Sequence, residues 1–121
     1  MLACLFCDRD EFIFENELAG AFLDKYPVSE GHLLIIPKQH RVDFFELTMA
    51  EKAAIDKLLI EGKAYLEKLY QPDGFNIGCN CGVVSGQSVM HCHIHLIPRY
   101  KGDTAQPKGG VRGVIPEKQR Y

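Results

Sequence analysis

Three histidines at alternate positions run through an otherwise apolar stretch, His91-Cys92-His93-Ile94-His95-Leu96-Ile97. Every second side chain of a strand shares one face, so the three imidazoles are expected in register at ~6.6 Å intervals, with Cys92, Ile94 and Leu96 turned to the core. One histidine on a strand needs no special account. Three on one face each add a titratable group that needs a partner. Two chemistries use such a set, metal ligation and phosphate chemistry. Positions i, i+2 and i+4 of one strand converge poorly on a single ion. The loop just before them, Gly86-Gln87-Ser88, offers backbone N–H groups, an amide and a hydroxyl, the donor set that holds a phosphate. The balance therefore lies with phosphate. A second constellation, Cys4-x-x-Cys7, fits a zinc half-site, a redox pair or two buried small side chains. Cys79 and Cys81 share a strand face in poor disulfide geometry and read as ordinary buried thiols.

The elements around these residues follow from pattern. Phe12-Ile13-Phe14 and Ala19–Leu23 flank Glu15-Asn16-Glu17 as a hairpin. Tyr26–Gly31 carries turn chemistry, and Leu33-Leu34-Ile35-Ile36 is a buried strand stopped by Pro37. Thr48-Met49-Ala50-Glu51 is a capping box that opens a helix. Ile55, Leu58, Leu59, Gly62, Tyr65, Leu66 and Leu69 form its apolar stripe. Lys52, Asp56, Lys57, Glu61, Lys63, Glu67 and Lys68 make a solvated face, and Pro72-Asp73-Gly74 ends it. Strands are expected around Phe75–Asn80 and Val89–Ile97, joined by the loop 81–88, with an irregular tail from Pro98. Strands before and after one helix indicate an α+β fold with a mostly antiparallel sheet.

Length and composition set limits on function. A chain of 121 residues fits one domain, and 46% apolar with 25% charged residues is ordinary for a globular protein. A net charge of −2 argues against a non-specific nucleic-acid or membrane binder, so an acidic substrate must be held by local donors. No secretory signal and no span of about 18 apolar residues is present. Five cysteines, an odd number, without an export signal indicate a reduced, cytoplasmic protein.

The stretch from His91 to Ile97, with Cys92 in one apolar slot, resembles the signature of the histidine triad (HIT) family. Gly86-Gln87-Ser88-Val89-Met90 resembles that family's lead-in. Phe22-Leu23-Asp24, the run from Pro27 through Gly31-His32-Leu33-Leu34-Ile35-Ile36-Pro37-Lys38 to His40, and Phe75-Asn76-x-Gly78-x-Asn80-x-Gly82 are also similar. The resemblance covers about residues 3–103. It implies a single α+β HIT domain over 1–121, with a five-stranded antiparallel sheet, one long helix and an irregular tail at 104–121. It also implies a homodimer whose sheet continues across the interface.

The roles implied by the resemblance map residue by residue. His93 attacks a nucleotide α-phosphorus and forms a nucleotidyl-histidine intermediate, its tautomer fixed by a backbone carbonyl near His91. His95 and His32 contact phosphate oxygens or the leaving group. Gln87 and Ser88 hold the oxygens that gain charge. Asp24 binds ribose hydroxyls, Phe6 and Phe22 build an apolar pocket suited to a purine, and Asn80 and Gly86 lie beside the phosphates. In a bacterial subset that this chain resembles, two cysteines and two histidines hold a structural zinc, which here are Cys4, Cys7, His40 and His91.

Pro98-Arg99-Tyr100-Lys101-Gly102-Asp103 is similar to members that split dinucleoside polyphosphates. A nucleotide hydrolase of that class is therefore the leading expectation. Nucleoside phosphoramidate hydrolysis, a non-catalytic nucleotide-binding module and a small zinc-binding structural protein are the alternatives. Uridylyl transfer fits less well, because the transferase branch has glutamine in place of His95. Cys81 and the short segment between Cys7 and Phe22 depart from the family pattern. Arg112 is the one tail residue expected to reach a phosphate.

Overall fold

The computed structural model describes residues 4–121. Five strands form one sheet in the order β1-β2-β3-β5-β4, with every neighbouring pair antiparallel. They are β1 (Phe14–Glu15), β2 (Ala19–Leu23), β3 (Leu33–Pro37), β4 (Gly74–Gly78) and β5 (Ile94–Arg99). A single long helix, α1 (Met49–Tyr70), crosses one face of the sheet.

The helix begins where the capping box places it. The Thr48 hydroxyl accepts from the Glu51 N–H at 3.1 Å, and the Glu51 carboxylate accepts from the Thr48 N–H at 2.8 Å. Ala54, Ile55, Leu58, Gly62 and Leu66 are buried against the sheet, while Leu69, expected in the stripe, is half exposed in the last turn. A Cβ at Gly62 would stand 3.0 Å from Leu96 and 3.3 Å from Leu33, so the absent side chain is what lets the helix lie this close. Gln71 closes α1 in the left-handed region, and Pro72 follows.

Glu51 does more than cap. It is 3% exposed and also takes the Arg41 Nε–H on both oxygens, at 3.0 and 3.1 Å. Burial pushes its pKa up, but the Thr48 and Arg41 contacts outweigh that and hold it below the usual value. Glu51→Ala is expected to destabilise the protein by roughly 2 kcal/mol, one cap plus one charged hydrogen bond. Denaturant unfolding reads this directly, and a loss under about 0.5 kcal/mol, the scale of an ordinary surface change, would contradict it.

The two faces of the sheet bury different things. Ala19, Ala21, Ile35 and Ile94 pack under α1 with Ile55 and Leu58. On the other face Phe22, Leu34 and Ile36 are covered by Phe6 from the N-terminal segment. Register aligns Phe22 with Leu34, Leu34 with His95, and His95 with Gly78, a row across four strands on that second face.

The triad strand is shorter and later than its sequence pattern indicates. Residues 91–93 lie outside β5, yet the expected alternation holds. Cys92 and Ile94 pack under α1, while Phe6 stands edge-on to His91 and His93 on the other side and His93 lines the cleft with His95. Ladder pairing with β3 stops at Ile35–Ile94; continued, it would set Cys92 opposite Pro37, which has no N–H to offer. The Cys92 N–H donates instead to the Arg41 carbonyl at 2.6 Å. Smaller differences are similar in kind. The first strand of the hairpin is Phe14–Glu15 rather than 12–14, β4 ends at Gly78 rather than Asn80, and the tail forms two short 3-10 turns, Gly110–Val114 and Pro116–Lys118. Cys79 and Cys81 are only partly buried. Among the described residues no helix is long and apolar enough to cross a membrane. β4 is an edge strand on which Ile77 is exposed, and Ile60 and Leu69 are exposed on α1.

Candidate active site and metal centre

A cleft of about 400 Å³ opens on the face away from α1, lined by Phe6, Phe22, Asp24, Asn80, Gly86, Ser88, His93 and His95 among others. Phe6 and Phe22 meet edge to face with centroids 5.4 Å apart. Phe6 also stands edge-on to His93 at 5.2 Å. The two phenylalanines are thus both core and pocket wall. Sequence reading missed Arg9, whose guanidinium carbon lies 3.7 Å from the Phe22 ring centroid, and it missed Lys25 and Tyr26 at the rim. Their only signal was adjacency, two residues after Cys7 and directly after Asp24.

Hydrogen bonding assigns the tautomer of each site histidine. His93 Nδ1 lies 2.9 Å from the His91 carbonyl oxygen. A carbonyl only accepts, so Nδ1 carries a proton, and in the neutral imidazole the lone pair is on Nε2. The Val28 N–H donates to His32 Nδ1 at 3.0 Å, which places the His32 proton on Nε2. That proton points at His95 Nδ1, 2.9 Å away, with an Asp24 oxygen at 3.5 Å. His95, in turn, presents Nε2–H. Within one site, then, His93 offers a lone pair and His95 a donor, with ring centroids 5.3 Å apart.

These positions refine the expected roles. His32 is 1% exposed and does not line the cleft; its side chain meets His95 behind it. Gln87 is 3% exposed, and its amide is fully engaged. Its Oε1 accepts from Gly82 N–H at 2.8 Å, and its Nε2 donates to the Val42 and Val89 carbonyls at 2.6 and 3.1 Å. The side chain ties down the loop and leaves Ser88 and Gly86 to face the cleft. Asp24 divides its carboxylate between the Tyr26 N–H, at 2.9 Å, and His32. Arg112 turns back onto the Lys118 carbonyl and the Tyr121 ring and does not line the cleft.

Burial, followed by the charges of His93 and His32, pushes the His95 imidazole down to about 4. Burial also lowers His32, against the pull of Asp24. Both groups stay neutral near pH 7. Between their lowered folded values and the unfolded value of about 6.5, the unfolded chain takes up protons that the folded one refuses, so stability falls as pH falls. Thermal unfolding is expected to show a falling melting temperature from pH 7 to pH 5, above the range where carboxylates titrate. His95→Gln should flatten that slope. A flat profile in the parent would refute the burial argument.

His91 faces a second cluster. Ligand atoms of Cys4, Cys7, His40 and His91 all lie within 4.8 Å of one another. Cys4 Sγ is 3.4 Å from His91 Nδ1, and Cys7 Sγ is 3.2 Å from His40 Nδ1 and 3.5 Å from His91 Nδ1. Tetrahedral zinc with Zn–S of ~2.3 Å and Zn–N of ~2.0 Å spans S···N edges of about 3.5 Å, so the set fits such an ion. His91 donates from Nε2 to the Pro37 carbonyl at 2.8 Å, which turns the lone pair of Nδ1 toward the thiols.

Residues 8–102 match the HIT domain family. The chain belongs to that family. An uncharacterized HIT-like protein of Mycoplasma genitalium is 40% identical over 105 residues, 82% of this chain and 74% of the relative. The asymmetrical bis(5′-nucleosyl)-tetraphosphatase of Schizosaccharomyces pombe is 31% identical over 96 residues, 79% of this chain but 53% of that protein. A Zn-bound histidine triad family protein from Mycobacterium smegmatis superposes with a TM-score of 0.77 at 32% identity, covering 86% of this chain and 80% of that one. This HIT chain therefore shares its fold with relatives that include a nucleotide-processing enzyme and a zinc-bound structure.

Proposed function

We propose that this HIT protein is a nucleotidyl hydrolase that cleaves dinucleoside polyphosphates at an α-phosphorus. The observation that carries the reading is the hydrogen bond from His93 Nδ1 to the His91 carbonyl, which leaves Nε2 as the lone-pair nitrogen of the neutral ring, set in the cleft between an aromatic wall and the His95 donor. The first nucleoside sits against Phe6 and Phe22, an apolar wall suited to a purine, with its ribose at Asp24. Ser88, Asn80 and the backbone at Gly86 lie beside the phosphates. The relation to the yeast tetraphosphatase supports this substrate class.

The steps balance with these groups. The His93 lone pair bonds to the α-phosphorus as the bond to the bridging oxygen breaks, and His95 Nε2–H hydrogen-bonds that oxygen. A polyphosphate leaves as a stable anion and needs no proton. Water then bonds to phosphorus, the P–N bond breaks, and the electron pair returns to His93. One water proton stays on the mononucleotide as its P–OH, and the other is released to solvent. Splitting one displacement into two easier ones is the gain of covalent catalysis. Gln87 and His32 are positioning residues in this scheme.

Zinc held by Cys4, Cys7, His40 and His91 belongs to the proposal as a structural ion with no open position. It would tie the N-terminal segment to the residues before β5. Pairing of two copies over the open β4 edge, the purine preference and a cytoplasmic setting belong to it as well.

Diadenosine tetraphosphate turned over in ¹⁸O-water tests the reading. AMP and ATP are expected, with the label in AMP. Two molecules of ADP, label in ATP, or no turnover would each overturn it, the last in favour of a non-catalytic nucleotide binder.

A further inference from the structure

Two residues beyond His95 on β5, and on the same sheet face, Ile97 lines a second cavity of about 510 Å³. Its other walls are Asn76 and Arg99 from β4 and β5, Val28 from the turn after Asp24, and Val111 and Val114 from the tail. Asn76 is paired with Ile97 in the ladder, as Gly78 is with His95, so the cavity continues the row of the catalytic cleft. The first cleft, at about 400 Å³, is of a size for one small ligand. A dinucleoside polyphosphate has a second half to place.

Direction comes from the displacement. Attacking and leaving atoms lie roughly in line across the phosphorus, so the leaving group departs away from His93. His95 stands on that path, and Ile97 is the next residue on its face. The chemistry of the cavity suits a nucleoside and not another phosphate. Arg99 is neutralised, with Nε and Nη2 on the Asp103 carboxylate at 2.8 and 2.7 Å and Nη1 on Asn76 Oδ1 at 2.7 Å. Among the described residues nothing accepts from the Asn76 amide Nδ2, which remains a donor. Val28, Val111 and Val114 are 73%, 64% and 77% exposed, an apolar rim that gains from being covered.

The tail wall is built. Gly109 has φ +94°, and a Cβ there would overlap the Gln119 carbonyl oxygen. Gln119 Nε2 donates back to the Lys108 carbonyl at 3.3 Å, and Arg112 Nη2 donates to the Lys118 carbonyl at 3.0 Å. The segment thus closes on itself over β4.

We propose that this groove seats the second nucleoside of a dinucleoside polyphosphate, its base against Ile97, Val111 and Val114 and its edge on the Asn76 amide. The inference rests on the substrate class proposed above. Equilibrium binding of two methylene-bridged analogues, of diadenosine tetraphosphate and of adenosine 5′-tetraphosphate, tests it without turnover. The parent should bind the diadenosine analogue at least about tenfold tighter, the scale of burying one base face against apolar side chains. Val111→Glu and, separately, Gly109→Val should close that gap to within about twofold, leaving the single-nucleoside analogue unchanged. Equal affinities in the parent, or variants that weaken both analogues alike, would overturn the subsite. A groove covered by a second copy would also show no gap, and Val111→Glu would change the solution mass instead. An intact gap without hydrolysis of diadenosine tetraphosphate would count against the hydrolase reading alone.

Discussion

His93→Ala is expected to lower the turnover of diadenosine tetraphosphate by at least about 10³-fold, the scale on which loss of a nucleophile acts in other covalent enzymes. The ring of His93 is 9% exposed and holds a single hydrogen bond, to the backbone of His91. Removing it breaks no side-chain network, so the fold and the affinity for AMP should survive. That separates a chemical defect from a structural one. Substrate labelled with ³²P at the α-phosphate and quenched during turnover should leave an acid-labile label on the parent and none on the variant. His95→Ala should be slowed less, because it supports charge and forms no bond. His32→Ala should resemble His95→Ala, since its Nε2–H fixes the His95 tautomer. A His93→Ala protein within tenfold of the parent rate would end the covalent mechanism. So would label that persists on that variant.

The sequence pattern identified the members of this site more surely than their duties. Thr48 and Glu51 announce the start of α1 because a capping box is a local device, complete within four residues. The cleft histidines were legible because histidines on an apolar stretch are costly without a purpose. Strand alternation placed the three imidazoles on one side, but the strand itself begins only at Ile94. His91 and His93 leave the ladder because Pro37, far away in sequence, has no N–H opposite Cys92, and no local period carries that information. The engaged amide of Gln87 depends on the Val42 carbonyl, and the burial of His32 depends on β5. Both are tertiary facts. The tail groove was invisible for the same reason. Its glycines read as looseness in sequence, whereas Gly109 and Gly113 let Gln119 close a wall.

Protein prepared without chelator is expected to carry about one zinc per chain, and stripping that zinc should both destabilise the fold and loosen the nucleotide cleft. With free zinc at a thousand times its dissociation constant, binding to the folded state adds about 4 kcal/mol. Each kcal/mol moves the melting temperature of a chain this size by roughly 4 °C, so a drop of about 15 °C is expected on chelation. The second effect follows from where Phe6 lies. It sits between Cys4 and Cys7, edge-on to His91 at 6.0 Å and to His93 at 5.2 Å, and it packs against Phe22. The loop that would wrap the ion therefore carries one wall of the base pocket. Chelation should weaken AMP binding measured by calorimetry, and Cys7→Ser should reproduce both losses. Phe6→Ala should keep the zinc and lose the affinity, which distinguishes the missing wall from general unfolding. AMP affinity unchanged by chelation, in protein still folded by circular dichroism, would uncouple the metal from the cleft. Elemental analysis that finds no zinc would remove the ion altogether.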